Sequence, residues 1–327
     1  MSLTVPSDRK EFSGFAEFFT TTIAPYLAGK EAARAATVTN FLILAGATAT
    51  LSIAVLQFAP IGEFRFQGAV FTAFGGAALA LWVLNRARAD ITHGLLELIA
   101  GKFSFAYQGK LQRPDYHERF RGLKLLPNHN REAWEDEVRG AYAGHDFVFC
   151  EAHLKYKTSG KNSSTRTVFH GQLLLIDYPK RFFGSTVLLR DMGPLNALMR
   201  PGKLHQRVGL ASPAFEKAFE AWSTDQVEAR ELLDPVVLER FQELERLFGG
   251  KKLRAAFDSG KILIAVETGD RLNIGSMFRP LQGSSRVETI LREFDVIFDL
   301  IDVLVKRLDG RIDGAFSLDH IKPTGAG

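Results

Sequence analysis

The sequence predicts an α+β protein in which a transmembrane hairpin of two helices precedes a cytoplasmic antiparallel sheet with flanking helices. Three observations carry this prediction. Residues 35–62 and 66–85 contain no charged side chain. From residue 146 onward, apolar and polar residues alternate with a period of two, which is typical of a half-buried strand. Near the C-terminus, residues 285–308 carry apolar side chains at alternating spacings of three and four, as a helix requires.

The two uncharged segments are each long enough to cross a bilayer core, which takes a helix of about 20 residues. The connection between them, Pro60–Arg65, is too short for a domain, so the chain is expected to enter the membrane and return directly. The alternative is a pair of buried helices in a soluble core. Consecutive uncharged runs of this length, joined by a short turn and flanked by arginine, disfavour that alternative.

Positive charges flanking membrane helices set their orientation, because the side richer in lysine and arginine stays in the cytoplasm. The connecting turn contributes only Arg65. The outer flanks of the hairpin contribute Lys30, Arg34, Arg86, Arg88 and Lys102. Both termini are therefore expected to be cytoplasmic. Small residues recur along both spans at Gly46, Thr50, Ala54, Gly68, Thr72, Gly76 and Ala80, which favours packing of the two helices and leaves open a contact with a partner.

Composition restricts the class of function. The net charge of +4 is spread along the chain, whereas a nucleic-acid-binding protein would show clustered lysine and arginine. The single cysteine, Cys150, excludes an internal disulfide and a cysteine-based metal cluster, and it fits a reducing compartment. Because Cys150 lies in the alternating pattern, we interpret it as a core residue. Nucleic acid is not an expected partner.

Composition and breakers divide the chain into five segments. They are a cytoplasmic N-terminal segment at 1–34, the transmembrane hairpin at 35–86, a helical and loop connecting region at 87–145, the α+β domain at 146–309 and a flexible tail at 310–327. In the connecting region we expect a helix leaving the membrane at 89–101 and an acidic helix at 131–142.

Within the α+β domain, three strands at 146–157, 165–176 and 185–189 are joined by short links, which favours an antiparallel meander. A helical segment is expected at 214–222. A second hairpin is expected further on, with strands at 253–257 and 262–266 around the turn Asp258-Ser259-Gly260.

Two later helices have clear start signals. Asp234 is a good N-cap before Pro235 at the first helical position, and Gly249 is expected to stop that helix. Ser285 and Glu288 predict a capping box for the last helix. Its apolar stripe has two interpretations, packing on the sheet of the same chain or the seam of a homo-oligomer.

No catalytic motif, cofactor fingerprint or metal-binding pair is recognisable in the sequence, so no catalytic residue, cofactor or metal ligand is predicted. His153 and His170 fall on neighbouring predicted strands and are interpreted as polar surface. The densest polar string contains the candidate interaction residues Asp225, Gln226, Glu228 and Arg230. Capping of a short helix is the favoured role of Asp225 and Glu228, and a binding or catalytic role is the alternative.

Several strings resemble a bacterial membrane-protein family of unknown function, domain of unknown function family 3137. They are Ile23-Ala24-Pro25-Tyr26-Leu27 with Glu31 and Arg34, Leu125-Leu126-Pro127, Glu135-Asp136, Phe169–Leu174, Phe183–Val187, Asp225–Arg230 and Leu233-Asp234-Pro235. The resemblance spans about Phe15 to Leu308 and implies a location in the bacterial inner membrane. It implies no established activity or cofactor.

These observations together predict a membrane-anchored cytoplasmic binding or scaffold module without enzymatic activity. The expected partners are the lipid bilayer and a second protein, or another copy of the chain through the C-terminal helix. The alternative is an enzyme that acts on a lipid or another membrane-proximal substrate through Asp225, Glu228 and Arg230.

Overall fold

The computed structural model describes residues 3–60, 62–160, 162–178, 182–190, 200–210, 213–247, 251–269 and 272–315. Its helices are α1 (Phe15–Phe18), α2 (Ala24–Phe58), α3 (Arg65–Lys102), α4 (His117–Gly122), α5 (Pro213–Glu216), α6 (Gln226–Leu232), α7 (Pro235–Leu247) and α8 (Ser285–Ala315). Its strands are β1 (Ala106–Leu111), β2 (Arg131–Tyr142), β3 (His145–Lys157), β4 (Thr165–Asp177), β5 (Thr186–Arg190), β6 (Gln206–Val208), β7 (Phe219–Ser223), β8 (Lys251–Asp258) and β9 (Lys261–Glu267). The expected α+β class is confirmed.

The chain divides into two compact units. The first comprises Met1–Phe103 and Leu272–Arg292, and the second comprises Ser104–Arg271 and Glu293–Gly327. Helix α8 therefore contributes its first residues to one unit and the remainder to the other.

The first unit is built on the pair α2 and α3, both long and apolar enough to cross a membrane. A π-helical turn at Phe19–Ile23 joins α1 to α2, so the helix begins well before the uncharged stretch. Close approach of the helices occurs at Gly76, where an added Cβ would lie 2.1 Å from the Thr48 hydroxyl oxygen. The small residues of the second span therefore pack inward as expected. Gly46 and Thr50 of the first span are exposed, and that half of the expectation is wrong.

A loop at 272–283 is held against the first part of α2 by charged side chains. Arg34 is buried, donates to the carbonyl oxygen of Met277 at 2.7 Å and pairs with Glu31. Glu31 in turn accepts from the N–H of Leu281 at 2.7 Å. Glu31 and Arg34 lie three residues apart on α2, so both side chains reach the same loop, and their role in the first unit is structural.

The second unit is an antiparallel sheet whose strands, among the described residues, run in the order β1-β2-β3-β4-β9-β8-β5-β7-β6. The predicted hairpin of β8 and β9 is confirmed. The predicted meander is wrong in its third strand, because β4 pairs with β9 and β5 lies between β8 and β7. Gly171 permits the pairing with β9, since a Cβ there would lie 1.9 Å from the carbonyl oxygen of Val266.

The acidic helix expected at 131–142 is also wrong, since this segment is strand β2, paired with β1 and β3. A register shift between Glu135 and Val138 interrupts the alternation and hides the strand from a period-two search. Inside the shift, Asp136 has a positive φ of 53° and accepts from the Tyr107 hydroxyl at 2.5 Å. The helix expected at 214–222 is limited to α5, and its second half is strand β7.

The sheet of the second unit is buried on both faces, because consecutive strand residues such as Phe149 and Cys150 are both covered. The core cluster on one face includes Phe120, Leu125, Leu126, Trp134, Cys150, Leu154, Phe169, Leu173, Val187 and Leu263. Cys150 is fully buried, and burial raises the pKa of its thiol to about 12, so the interpretation as a core residue is confirmed. The thiol is un-ionised and inaccessible, which excludes a nucleophilic role in this fold.

Helix starts mostly follow the predicted signals. Asp234 accepts a hydrogen bond from the N–H of Val237 at 2.8 Å, as an N-cap does. At α8 the helix begins at Ser285, which makes Ser284 the capping residue, so the predicted capping box of Ser285 and Glu288 is wrong. The Glu288 carboxylate accepts from the N–H of Thr4, and its hydrogen bond with Ser284 lowers the pKa of the carboxyl. Gly249 lies outside the described residues, as does the tail from 316 onward.

Candidate functional site

The second unit contains an open pocket with a volume of about 650 Å³. It lies where the residues before and within α4 face strands β2, β3, β4 and β9. Its lining is Asp115, Tyr116, Arg119, Arg139, Gly140, Ala141, Asp146, Phe147, Val148, Leu175, Asp177 and Lys261. Three cationic and three anionic side chains share this lining with apolar ones, which gives the surface a mixed electrostatic character.

The cations of the pocket are already engaged by carboxylates of the same unit. Arg139 contacts Glu137 at 2.5 Å, and the Tyr116 hydroxyl donates to the same carboxylate at 2.7 Å. Lys261 pairs with Asp177 at 2.5 Å, and both belong to the lining. The pocket therefore presents paired charges rather than a net charge of either sign.

The predicted interaction residues lie at the start of α6. Asp225 is the N-cap, and its carboxylate accepts from the N–H groups of Val227 and Glu228 at 2.9 and 3.0 Å. Glu228 does not reach back to Asp225 but accepts from the N–H groups of Phe183 and Gly184 at 2.8 and 2.7 Å. These two carboxylates thus hold backbone groups of their own unit.

The other two members of that string are more peripheral. Gln226 donates to the carbonyl oxygen of Gln206 at 3.4 Å, and Arg230 is exposed. None of the four residues lines the pocket described above. Their role in interaction remains a prediction.

His153 and His170 stand opposite each other in the β3–β4 pair and stack with ring centroids 4.5 Å apart. Each has a hydrogen-bonding partner. His153 Nε2 lies 3.1 Å from the Thr167 hydroxyl, and His170 Nε2 lies 3.2 Å from the Glu151 carboxylate. The two rings therefore form a satisfied cross-strand pair on the polar surface, as the sequence indicated.

A second histidine pair was not found by sequence reasoning. His117 begins α4, His129 lies in the loop before β2, and Glu132 is the second residue of β2. The fold brings their ligand atoms within 4.8 Å of one another. A search for paired ligands on one helix misses them, because they belong to three different elements. The spacing His129-x-x-Glu132 was the one local signal, and of the two residues only Glu132 lay in the segment wrongly predicted as helix.

Comparison with known proteins identifies one family. Residues 167–306 match the model of a family described as protein of unknown function (DUF3137). No curated protein matches the chain. Among solved structures, the chain is similar to the crystal structure of the mycobacterial trehalose monomycolate transport factor A, TtfA, with 12% identity and a TM-score of 0.36, over 65% of this chain and 96% of that one. The resemblance to the DUF3137 family, expected from the sequence, is confirmed over residues 167–306.

Proposed function

We propose that the chain is a membrane-anchored binding module, in which α2 and α3 hold a ligand-binding sheet domain at the cytoplasmic face of the bacterial inner membrane. One observation carries this proposal, the exposure of large apolar side chains along both helices. The exposed set on the helices is Leu42, Ile43, Leu51, Ile53, Leu56, Phe58, Phe66, Phe71, Phe74, Leu79, Leu81 and Trp82, and Phe64 in the turn between them is exposed as well.

The exposure is too extensive for a soluble surface. Phe58 is 82% exposed and Phe71 is 77% exposed, although each side chain gains about 1.5–3 kcal/mol when it leaves water. A buried core helix passes the same length and composition test, but its side chains would be covered by the protein. In the most apolar stretch of 18 residues, the buried share is 0% in the first helix and 17% in the second. This exposure favours a lipid environment.

The flanking residues support a cytoplasmic position for both ends of the hairpin. Lysine and arginine are concentrated outside the spans, and the turn between them carries Arg65. At the end of the second span, the guanidinium of Arg86 lies 5.5 Å from the centre of the Trp82 ring. Tryptophan beside arginine is typical of a membrane–water interface.

The pocket of the second unit is the proposed ligand site. Its paired charges and its volume of about 650 Å³ fit a polar molecule of zwitterionic character. The enzyme alternative through Asp225, Glu228 and Arg230 receives no support from their contacts, since both carboxylates accept hydrogen bonds from backbone N–H groups.

The membrane arrangement is tested with single cysteines on a Cys150→Ala background. A membrane-impermeant maleimide added to intact spheroplasts should label Glu63→Cys in the turn. Lys10→Cys, before the first span, should be labelled only after permeabilisation. Labelling of both positions from outside, or release of the protein from membranes by alkaline carbonate, would contradict the proposal.

The pocket is tested by native mass spectrometry of the full chain purified in mild detergent. We expect a co-purifying polar small molecule in the wild type, which Ala141→Trp should displace by filling the pocket. The matched control is Thr165→Trp, an exposed strand position outside the pocket. Equal occupancy in the two variants, or no bound molecule in the wild type, would reject the pocket as the ligand site.

A further inference from the structure

We infer that His117, His129 and Glu132 form a binding site for a divalent transition-metal ion of the zinc class. The two Nε2 atoms lie 3.1 Å apart, and Glu132 Oε2 lies 3.5 Å from His129 Nε2. In a tetrahedral zinc site with Zn–N and Zn–O near 2.0–2.2 Å, neighbouring ligand atoms are separated by about 3.3 Å. Both distances are close to this separation, and all three ligand atoms lie within 4.8 Å of one another.

The hydrogen bonding of His129 directs a lone pair toward the proposed ion. Its Nδ1 lies 2.9 Å from the carbonyl oxygen of Pro127, which can only accept, so Nδ1 carries the proton. The Nε2 atom of the neutral ring is then unprotonated and faces His117. A carbonyl partner that fixes the tautomer in this way is the usual outer support of a metal-binding histidine.

His117 is held by packing rather than by a hydrogen bond. Its ring packs edge-on against Trp134 with centroids 5.4 Å apart, and its buried Nδ1 lies 3.2 Å from the Glu118 carboxylate without the geometry of a hydrogen bond. When Nδ1 carries the proton, two lone pairs face each other at 3.1 Å. A shared cation stabilises that arrangement, whereas without one a proton must lie between the rings.

Glu132 completes the set. Its Oε1 accepts from Arg113 Nε at 2.7 Å, which fixes the carboxylate plane. Its Oε2 is buried and, within the described residues, makes no hydrogen bond of good geometry, although the indole N–H of Trp134 interacts with the same carboxylate. An anionic oxygen at the edge of two imidazoles that lacks a well-aligned donor is available to a cation.

The residue types fit the same kind of ion, since two histidines and one carboxylate are a set of ligands that zinc accepts in sites with an open position. Neutral imidazole and ionised carboxylate are the forms that bind metals. With three protein ligands, a fourth position is left for water or a substrate.

The test uses the full chain in mild detergent, purified without a histidine tag and stripped with chelator. Zinc alone should bind stoichiometrically and raise the unfolding temperature, because an ion that binds only the folded state stabilises it by mass action. Cobalt(II) alone should give the visible absorption of a tetrahedral site. His129→Gln and Glu132→Gln should each weaken zinc binding by at least about 10–100-fold, the loss typical even of an outer-shell partner.

The chain provides a matched control in its second histidine pair. His153→Gln and His170→Gln remove imidazoles of a pair whose ring centroids lie 4.5 Å apart and whose partners are a threonine and a glutamate, and they should leave zinc affinity unchanged. If His129→Gln fails to fold by circular dichroism, Glu132→Gln at the more exposed edge decides the result. Absence of zinc binding in the wild type, or affinity retained in Glu132→Gln, would overturn the proposal and leave a hydrogen-bonded histidine pair only.

Discussion

Glu228 connects two segments that are distant in the sequence. Its carboxylate accepts hydrogen bonds from the N–H groups of Phe183 and Gly184, which precede β5, and Gly184 itself lies against Asp225. A Cβ at Gly184 would lie 2.8 Å from the Asp225 Cβ. The favoured structural role of Asp225 and Glu228 thus includes an attachment between α6 and the start of β5, an interior strand.

The attachment predicts unequal effects of alanine substitutions within α6. Glu228→Ala leaves two backbone N–H groups without their acceptor, and we expect a loss of about 1–3 kcal/mol in the free energy of unfolding. Arg230→Ala, at an exposed position of the same helix, should change the free energy by less than about 0.5 kcal/mol. Denaturant unfolding of both variants checks this. If Arg230→Ala lowered the free energy of unfolding more than Glu228→Ala does, the attachment through Glu228 would be contradicted.

At the scale of elements, local pattern identified strands and helices well where the pattern was regular. β3, β4, β8, β9 and α7 were all predicted close to their observed bounds. β2 was missed because the register shift at Glu135–Val138 interrupts its alternation, and because its acidic residues are compensated by tertiary partners. Glu137, for example, is buried against the Tyr116 hydroxyl and Arg139. No local rule anticipates those partners.

The packing of α2 against α3 predicts different effects at two adjacent glycines. Gly76→Leu adds a side chain where a Cβ would already overlap Thr48, and overpacking of this kind costs about 1–3 kcal/mol. Gly75→Leu meets no atom within 4 Å and faces outward. Both changes alter helix propensity equally, so a difference in thermal stability in detergent measures the packing alone. Equal stability of the two variants would mean that the helices do not approach closely at Gly76.

At the scale of the whole molecule, the apolar stripe of α8 bears on the two interpretations of this helix. Phe294, Ile297, Ile301 and Leu304 are each 0% exposed within a single chain. Phe298 of the same helix stacks on Tyr142 of β2, with ring centroids 4.5 Å apart. Burial within one chain favours core packing, and a homo-oligomer through this face remains a prediction without support from these contacts.

Replacement of Ile297 separates the two interpretations. Ile297→Asp places a carboxylate in a fully buried position, and we expect loss of folded protein rather than dissociation of an oligomer. Arg292→Asp, at an exposed position of the same helix, should leave the fold intact. Circular dichroism and mass analysis by light scattering distinguish the results. A folded Ile297→Asp variant of lower mass would establish the oligomer seam.

The sequence by itself determined the α+β class, the two uncharged spans, the burial of Cys150 and the family resemblance. These depend on hydrophobic patterning and on local capping, which act between residues close along the chain. Only the tertiary structure decided that β5 leaves the meander, that β2 is a strand, and that His117, His129 and Glu132 come together. Strand order and side-chain clusters arise from contacts between residues far apart in sequence, and periodicity contains no information about which distant elements meet.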